Sequence, residues 1–147
     1  MSPQDAFHET IHGAPGGCEA LAVRLNMSAA VLRNKANPTC LGNKVTLEDA
    51  DRVMGLTGNF AVLNALAANH GHVCVVVEQG GAASDLAVLE IMTKCWSTNG
   101  DFGAEVNRAL EDGRIDRREI VSIKAAVLRA NQAMQQLVAR LEGMAEK

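Results

Sequence analysis

The sequence has few aromatic residues, with three Phe, one Trp and no Tyr among its 147 residues. A core without large rings must be built from Leu, Val, Ile, Met and Ala, and these side chains suit packed helices. Hydrophobic residues still make up 48% of the chain and charged residues 21%, which excludes an intrinsically disordered protein. The composition therefore favours a globular protein of packed helices.

The chain also lacks an apolar stretch that could cross a bilayer, because its longest unbroken apolar run is Val73–Val77. No secretory signal is visible in the polar, mixed segment Met1–His12, so we expect a cytoplasmic protein with no membrane partner. The cysteines are widely spaced without a C-x-x-C pair, which predicts reduced thiols at Cys18, Cys40, Cys74 and Cys95.

Catalytic and metal-binding patterns are missing as well. His8 and His12 lie four residues apart, but two ligands do not make a metal site, and no carboxylate or Cys spacing completes one. The sequence contains no phosphate-binding loop, and its spacing supports no Ser-His-Asp or Cys-His pairing. We therefore expect no metal, no cofactor and no enzymatic activity.

The chain has no basic excess, although nucleic-acid-binding proteins often carry one to displace counterions from phosphates. The net charge is −3. Positions 1–75 contain six acidic residues against five basic ones, which are Arg24, Arg33, Lys35, Lys44 and Arg52. Any affinity for DNA must therefore come from a local patch and from the avidity of an oligomer.

Helix start and stop signals are abundant in the first half of the chain. Apolar spacing predicts five short helices, over 5–12, 18–25, 29–36, 47–54 and 60–69. Ser28, Thr46 and Asn59 are the expected N-caps of the last three helices, and Asp49 adds a capping-box partner to Thr46. A turn is expected at 55–58 because glycines lie at both ends of it.

The second half begins with the β-branched run Val73–Val77, which predicts a short strand or a buried connector, followed by a hinge at 80–84. Helices are expected over 85–96 and 101–112, separated by the polar stretch 97–100. The last helix has the best start signal, since Asp116 and Glu119 form a capping box. We thus predict a DNA-binding domain at 1–72, a linker or short extended segment at 73–84 and a helical oligomerisation region at 85–147.

Residues 18–37 have the pattern of a helix-turn-helix. Ala22 provides the small side chain where the second helix crosses the first, and Asn26 tolerates the positive φ that the turn requires. The apolar side chains that such a motif needs before and after its turn are Leu21, Leu25, Met27 and Leu32. We therefore predict that the second helix of this pair enters the major groove of an operator in double-stranded DNA.

The outward face of that second helix carries the candidate DNA contacts. Arg33 suits bidentate bonding to guanine and Asn34 suits adenine, while Ser28 and Lys35 can hold phosphates. Lys35 stands where such motifs usually have an apolar residue, so its stem is expected to lie along the core with its ammonium near a phosphate. The full candidate set is Ser28, Ala29, Ala30, Arg33, Asn34, Lys35 and Asn37.

Three stretches, 21–38, 45–59 and 63–71, resemble the phage CII-type regulatory proteins, and L-R-N-K-A-N-P at 32–38 is the most specific of them. Asn26 and Asn59 replace a usual Gly and Asp, and both are compatible with the turn and capping roles. The resemblance implies a λ-repressor-like helical DNA-binding domain without enzymatic activity, a role in the lysogeny decision of a temperate phage or prophage, and self-association. It carries over to Ser28, Ala29, Ala30, Arg33 and Asn34 as recognition-helix residues.

The last helix carries an apolar stripe with alternating spacings of three and four residues, sustained for three heptads. We expect it to pack against its own domain and against a partner, giving a homo-oligomer, either a dimer or a tetramer. The predicted oligomerisation residues are Ile120, Ile123, Val127, Met134, Leu137 and Leu141. The rival hypothesis is a helical adaptor or anti-repressor that does not bind DNA directly, and the acidic balance favours it.

Overall fold

The computed structural model describes residues 1–40, 42–77 and 84–145, and all regular structure in these ranges is helical. The described part contains seven helices: α1 Pro3–Gly13, α2 Gly17–Leu25, α3 Ala29–Ala36, α4 Leu47–Thr57, α5 Ala61–Asn69, α6 Asp85–Leu110 and α7 Arg117–Glu142. The predicted all-α fold class is confirmed. All four cysteines are free thiols.

The chain divides into two compact units, Met1–Cys74 with α1 to α5 and Val75–Lys147 with α6 and α7. No extended pairing forms at 73–77, so the predicted strand is wrong, and Val73, Val76 and Val77 are exposed rather than buried. A strand needs a neighbour to accept its backbone hydrogen bonds, and no described segment provides one. The predicted hinge at 80–84 lies outside the described residues except for Ser84, which caps α6.

The first unit has a core of large side chains contributed by α1 to α4. Its fully buried members are Phe7, Ile11, Leu21, Leu25, Leu32 and Val53. Phe7 and Ile11 lie on one face of α1, which begins two residues earlier than expected because Ser2 and Asp5 form a capping box. The hydrogen bonds in that box hold the pKa of the Asp5 carboxyl below its usual value.

The predicted N-caps of α3 and α4 are confirmed, since the Ser28 hydroxyl accepts from the Val31 amide and Thr46 forms a capping box with Asp49. The end of α4 and the start of α5 differ from the sequence-based expectation. Helix α4 continues through Gly55 to Thr57 and ends at Gly58 (φ 66°), because a single glycine inside a helix is tolerated when the helix is packed. Helix α5 begins at Ala61 with Phe60 as its N-cap instead of the predicted Asn59, whose side chain accepts from the Ala61 amide at 3.0 Å.

The second unit consists of two 26-residue helices joined by residues 111–116. The predicted break at 97–100 is wrong, because α6 runs through it without interruption. Thr98 donates its hydroxyl proton to the Lys94 carbonyl at 2.9 Å, and Asn99 donates its side-chain amide to the Cys95 carbonyl at 2.9 Å. These polar side chains therefore satisfy helix carbonyls instead of forming a loop. The Asp116–Glu119 capping box of α7 is confirmed.

Candidate functional site

A tight turn joins α2 to α3 at Asn26. This residue has a φ of 55° and a ψ of 45°, and it is the one non-glycine residue with positive φ among the described residues. Its amide donates to the Val23 carbonyl at 3.1 Å, and the Met27 amide donates to the Ala22 carbonyl at 3.0 Å. The two bonds close the carboxyl end of α2, and α3 then begins at Ala29 with the Ser28 hydroxyl as its cap. The predicted role of Asn26 as the turn residue is confirmed.

Small and apolar side chains pack α2 against α3 and the rest of the core. Ala22 is 2% exposed, and Leu21, Leu25 and Leu32 are buried, as predicted. The Cys18 thiol is also buried and donates to the Ala29 carbonyl at 3.6 Å. Burial raises the pKa of this thiol above its usual value. The backbone geometry of the α2–α3 pair is therefore set by the core beneath it.

Three side chains from neighbouring helices bind the carboxyl ends of α2 and α3. Arg52 on α4 donates to the Leu25 carbonyl at 2.6 Å. From α1, Gln4 donates to the Lys35 carbonyl at 2.7 Å and His8 Nδ1 donates to the Ala36 carbonyl at 3.0 Å. The last carbonyls of a helix have no partner within it, so these contacts fix both helix ends. Sequence reasoning missed them because the partners lie 27 to 31 residues apart.

The predicted DNA-contact residues fall into an exposed group and an engaged group. Ala30, Arg33, Asn34 and Asn37 are exposed and follow a spacing of three and four residues, which places them on one face of α3 and its carboxyl end. Ser28 is exposed at the amino end and Ala29 is half-buried. The Asn37 side-chain oxygen accepts from the Thr39 amide at 3.0 Å and from the Thr39 hydroxyl at 2.8 Å, so it belongs to the turn after α3.

The Lys35 ammonium, which was predicted to lie near a phosphate, is paired with a carboxylate of its own chain in this structure. The Lys35 side chain is 17% exposed, and its Nζ lies 2.5 Å from Asp49 Oδ2. Asp49 also accepts from the Thr46 amide at 2.9 Å and the Thr46 hydroxyl at 2.8 Å. Burial opposes ionisation of Asp49, but the hydrogen bonds from Lys35 and Thr46 outweigh it and hold the pKa of the carboxyl below its usual value. Lys35 therefore ties α3 to the start of α4.

Arg33 makes a second ion pair that connects α3 with α2. Its guanidinium binds the carboxylate of Glu19, and the two side chains are 53% and 66% exposed. The two residues are 14 positions apart, so the spacing rules that find helix pairs in a sequence do not reveal the contact. The outward surface of the α2–α3 pair thus presents a neutralised arginine.

In the second unit, α6 and α7 pack through small side chains and form an antiparallel hairpin. The buried residues at their contact are Cys95, Ala109, Ala126, Ala130, Ala133 and Gln136. This contact divides the predicted oligomerisation stripe, because Ile123 and Leu137 lie half-buried beside the alanines. Ile120, Val127, Met134 and Leu141 are displaced from the contact and remain exposed.

Most of the exposed apolar side chains lie on one side of this hairpin, which we call the apolar face, whereas Leu86, Val121 and Leu128 are exposed outside it. Several of its members directly follow a contact residue: Trp96 after Cys95, Leu110 after Ala109, Val127 after Ala126 and Met134 after Ala133. In an antiparallel pair, positions displaced in the same direction from the contact lie on the same side. Residues that directly precede it form the opposite side, where Lys94 Nζ donates to Gln136 Oε1 at 3.4 Å.

Charged side chains of the hairpin lie mainly on the side opposite to the apolar face. The residues that precede α6–α7 contact positions include Lys94, Asp101, Arg108 and Arg129. The apolar face consists of Leu89, Trp96, Leu110, Ile120, Val127, Met134, Val138 and Leu141, with Lys124 as the charge among them. The hairpin therefore has one charged and one predominantly apolar side.

The described residues contain no group of three or more His, Cys, Asp and Glu side chains that could hold a metal ion. Among the helices that the structure describes, none combines the length and the apolar character needed to span a membrane.

Together, the fold and this surface define a small all-α protein with an exposed helix held on a buried core. The family model "Phage regulatory protein CII (CP76)" matches residues 2–144, and the chain belongs to this family. It is thus a phage transcriptional regulator, and its family is one of regulatory proteins rather than of enzymes. No match to the sequence is found among the curated proteins.

Proposed function

We propose that the protein is a sequence-specific DNA-binding regulator of a temperate phage or prophage, acting on its operator in the host cytoplasm. In this proposal α2 and α3 form a helix-turn-helix, and α3 enters the major groove. The observation that carries the proposal is the exposed face of α3, with Ala30, Arg33 and Asn34 placed outward after the Asn26 turn. Membership of a phage regulator family supports the same conclusion.

Each exposed residue of α3 has a chemical role in this proposal. Ala29 and Ala30 are small, so the amino end of α3 can approach the bases closely. Arg33 supplies paired donors for guanine O6 and N7, and Asn34 supplies a donor and an acceptor for adenine. The Ser28 hydroxyl accepts from the Val31 amide at 3.2 Å and can donate its own proton to a phosphate. Lys35 positions the helix through Asp49 and does not need to contact DNA.

Self-association is the second part of the proposal, because one weakly acidic unit has little electrostatic attraction to DNA. We assign it to the apolar face of the hairpin, with a second copy of this chain as its partner. The eight large side chains of that face expose on the order of 800 Å², about what one partner contributes to a stable protein interface. Two copies could then read two half-sites about one helical turn apart.

The experiment is an in vitro selection of duplexes from a random pool with the full-length protein, followed by titration at several salt concentrations. The proposal expects an enriched sequence with two half-sites, and an affinity for it that falls as salt rises. Failure to retain any duplex at low salt would favour the adaptor or anti-repressor function. In that case the exposed apolar face of the hairpin would be the main functional surface.

A further inference from the structure

We propose that Glu19 is a specificity-determining residue, which acts by holding Arg33 and so suppresses binding to non-cognate DNA. The inference rests on the proposed reading of DNA by α3. It concerns a residue on α2 that would repel phosphates if it stood alone.

The geometry places Glu19 at the outward surface, beside the residue assigned to read a base. Its carboxylate binds the Arg33 guanidinium across the α2–α3 pair, and both side chains are more than half exposed. The backbones beneath them are fixed by the Asn26 turn and by the Cys18 thiol on the Ala29 carbonyl. Because the Glu19 and Arg33 side chains are both mostly exposed, their ion pair belongs to the surface and not to the core.

The pair affects cognate and non-cognate DNA differently. A phosphate that takes Arg33 away from Glu19 leaves an unpaired carboxylate near the polyanionic backbone, which is unfavourable. A guanine presents two acceptors on its major-groove edge, and a guanidinium has five N–H donors. Arg33 can therefore keep Glu19 on one edge while it bonds to guanine with another. Glu19 penalises loose phosphate contacts more than the bidentate base contact.

The test compares Glu19→Gln with the wild type in the full-length protein, using the selected duplex and a scrambled duplex of the same length. Glu90→Gln on α6 is the matched control, because it removes the same charge from an exposed carboxylate outside the α2–α3 pair. We expect Glu19→Gln to lower the ratio of selected to scrambled affinity on the order of two- to five-fold, the range reached by exposed ion pairs. The control should leave that ratio unchanged.

A double variant separates positioning of Arg33 from a simple change of charge. In an Arg33→Ala background, Glu19→Gln should no longer lower the ratio, because there is no guanidinium left to hold. An equal effect of Glu19→Gln with and without Arg33, or an unchanged ratio in the single variant, would overturn the inference. If the wild type fails to distinguish the two duplexes, the proposed function itself fails, and that result is separate. Thermal melting of each variant confirms that the fold is retained.

Discussion

The two units of the chain differ in how completely they bury large apolar side chains. In the first unit, Phe7, Leu32 and Val53 are fully buried, although Val23 and Leu47 are exposed at its surface. In the second, alanines fill the contact between α6 and α7, and Trp96 is left 68% exposed. An exposed apolar face on a hairpin marks an interaction site, which in the proposed function is covered by a second copy of the chain. In the proposed function, the first unit recognises DNA and the second unit brings copies of the chain together.

The largest loss of stability is expected when a core side chain is removed from the first unit. Leu32→Ala should destabilise the protein by about 2–5 kcal/mol, because it deletes a fully buried side chain of α3 and leaves a cavity. Leu47→Ala on α4 is the matched control, since Leu47 is 81% exposed in the same unit and its truncation should cost far less. Denaturant unfolding measures both variants. Equal losses would mean that Leu32 is not a core residue of an independently packed unit.

A charge placed on the apolar face tests whether the second unit mediates self-association. Val127→Lys should weaken self-association by about 1.5–3 kcal/mol or more, because it replaces an apolar contact and places a charge in the interface. Ser122→Lys adds the same residue to the same helix, but directly before the contact residue Ile123 and so on the opposite side. Sedimentation or light scattering at several concentrations gives the oligomeric state. Normal assembly of Val127→Lys, or equal disruption by Ser122→Lys, would show that the apolar face is not the interface.

The buried ion pair under α3 makes the first unit sensitive to acid. The pKa of Asp49 is below that of an unfolded aspartate, so its ionisation stabilises the fold above the unfolded value of about 4 and this contribution is lost as pH falls further. Asp49→Asn should cost about 1–3 kcal/mol at neutral pH, because Lys35 loses its charged partner. The stability that is lost between neutral and acidic pH should also be smaller in Asp49→Asn than in the wild type. Melting temperatures measured against pH test this prediction, and Asp51→Asn is the control because Asp51 is exposed. Parallel pH profiles of the wild type and both variants would contradict the prediction.

Local chemistry was sufficient to predict most helix boundaries and the α2–α3 turn. Ser28, Asn26 and Asp116 act within four residues of the backbone groups that they bind, so their roles can be read from short patterns. The division of the last helix into a small-residue contact and an apolar face was not predicted. The small contact residues and the residues of the apolar face both recur with heptad spacing along α7, and only the position of α6 determines which of the two sets is buried.

The site was predicted in outline but not in its electrostatics. Arg33 and Asn34 are exposed on α3 as expected, yet each cation of α3 has a partner that lies 14 residues away, Glu19 for Arg33 and Asp49 for Lys35. Those pairings depend on how α2 and α4 pack against α3, which no local pattern reports. The continuous α6 was missed for another reason, because Thr98 and Asn99 bind helix carbonyls in the polar stretch where a break was expected.

In the proposed function, Arg33 on the outward face of α3 reads a base. The most direct test of this role is the affinity of Arg33→Ala for the selected duplex and for its scrambled counterpart. Arg24→Ala is measured beside it, since Arg24 is an exposed arginine in the last turn of α2. We predict that Arg33→Ala loses about 1–3 kcal/mol on the selected duplex and relaxes the preference at one base pair, whereas Arg24→Ala leaves the ratio of the two affinities unchanged. An unchanged ratio for Arg33→Ala would contradict the account.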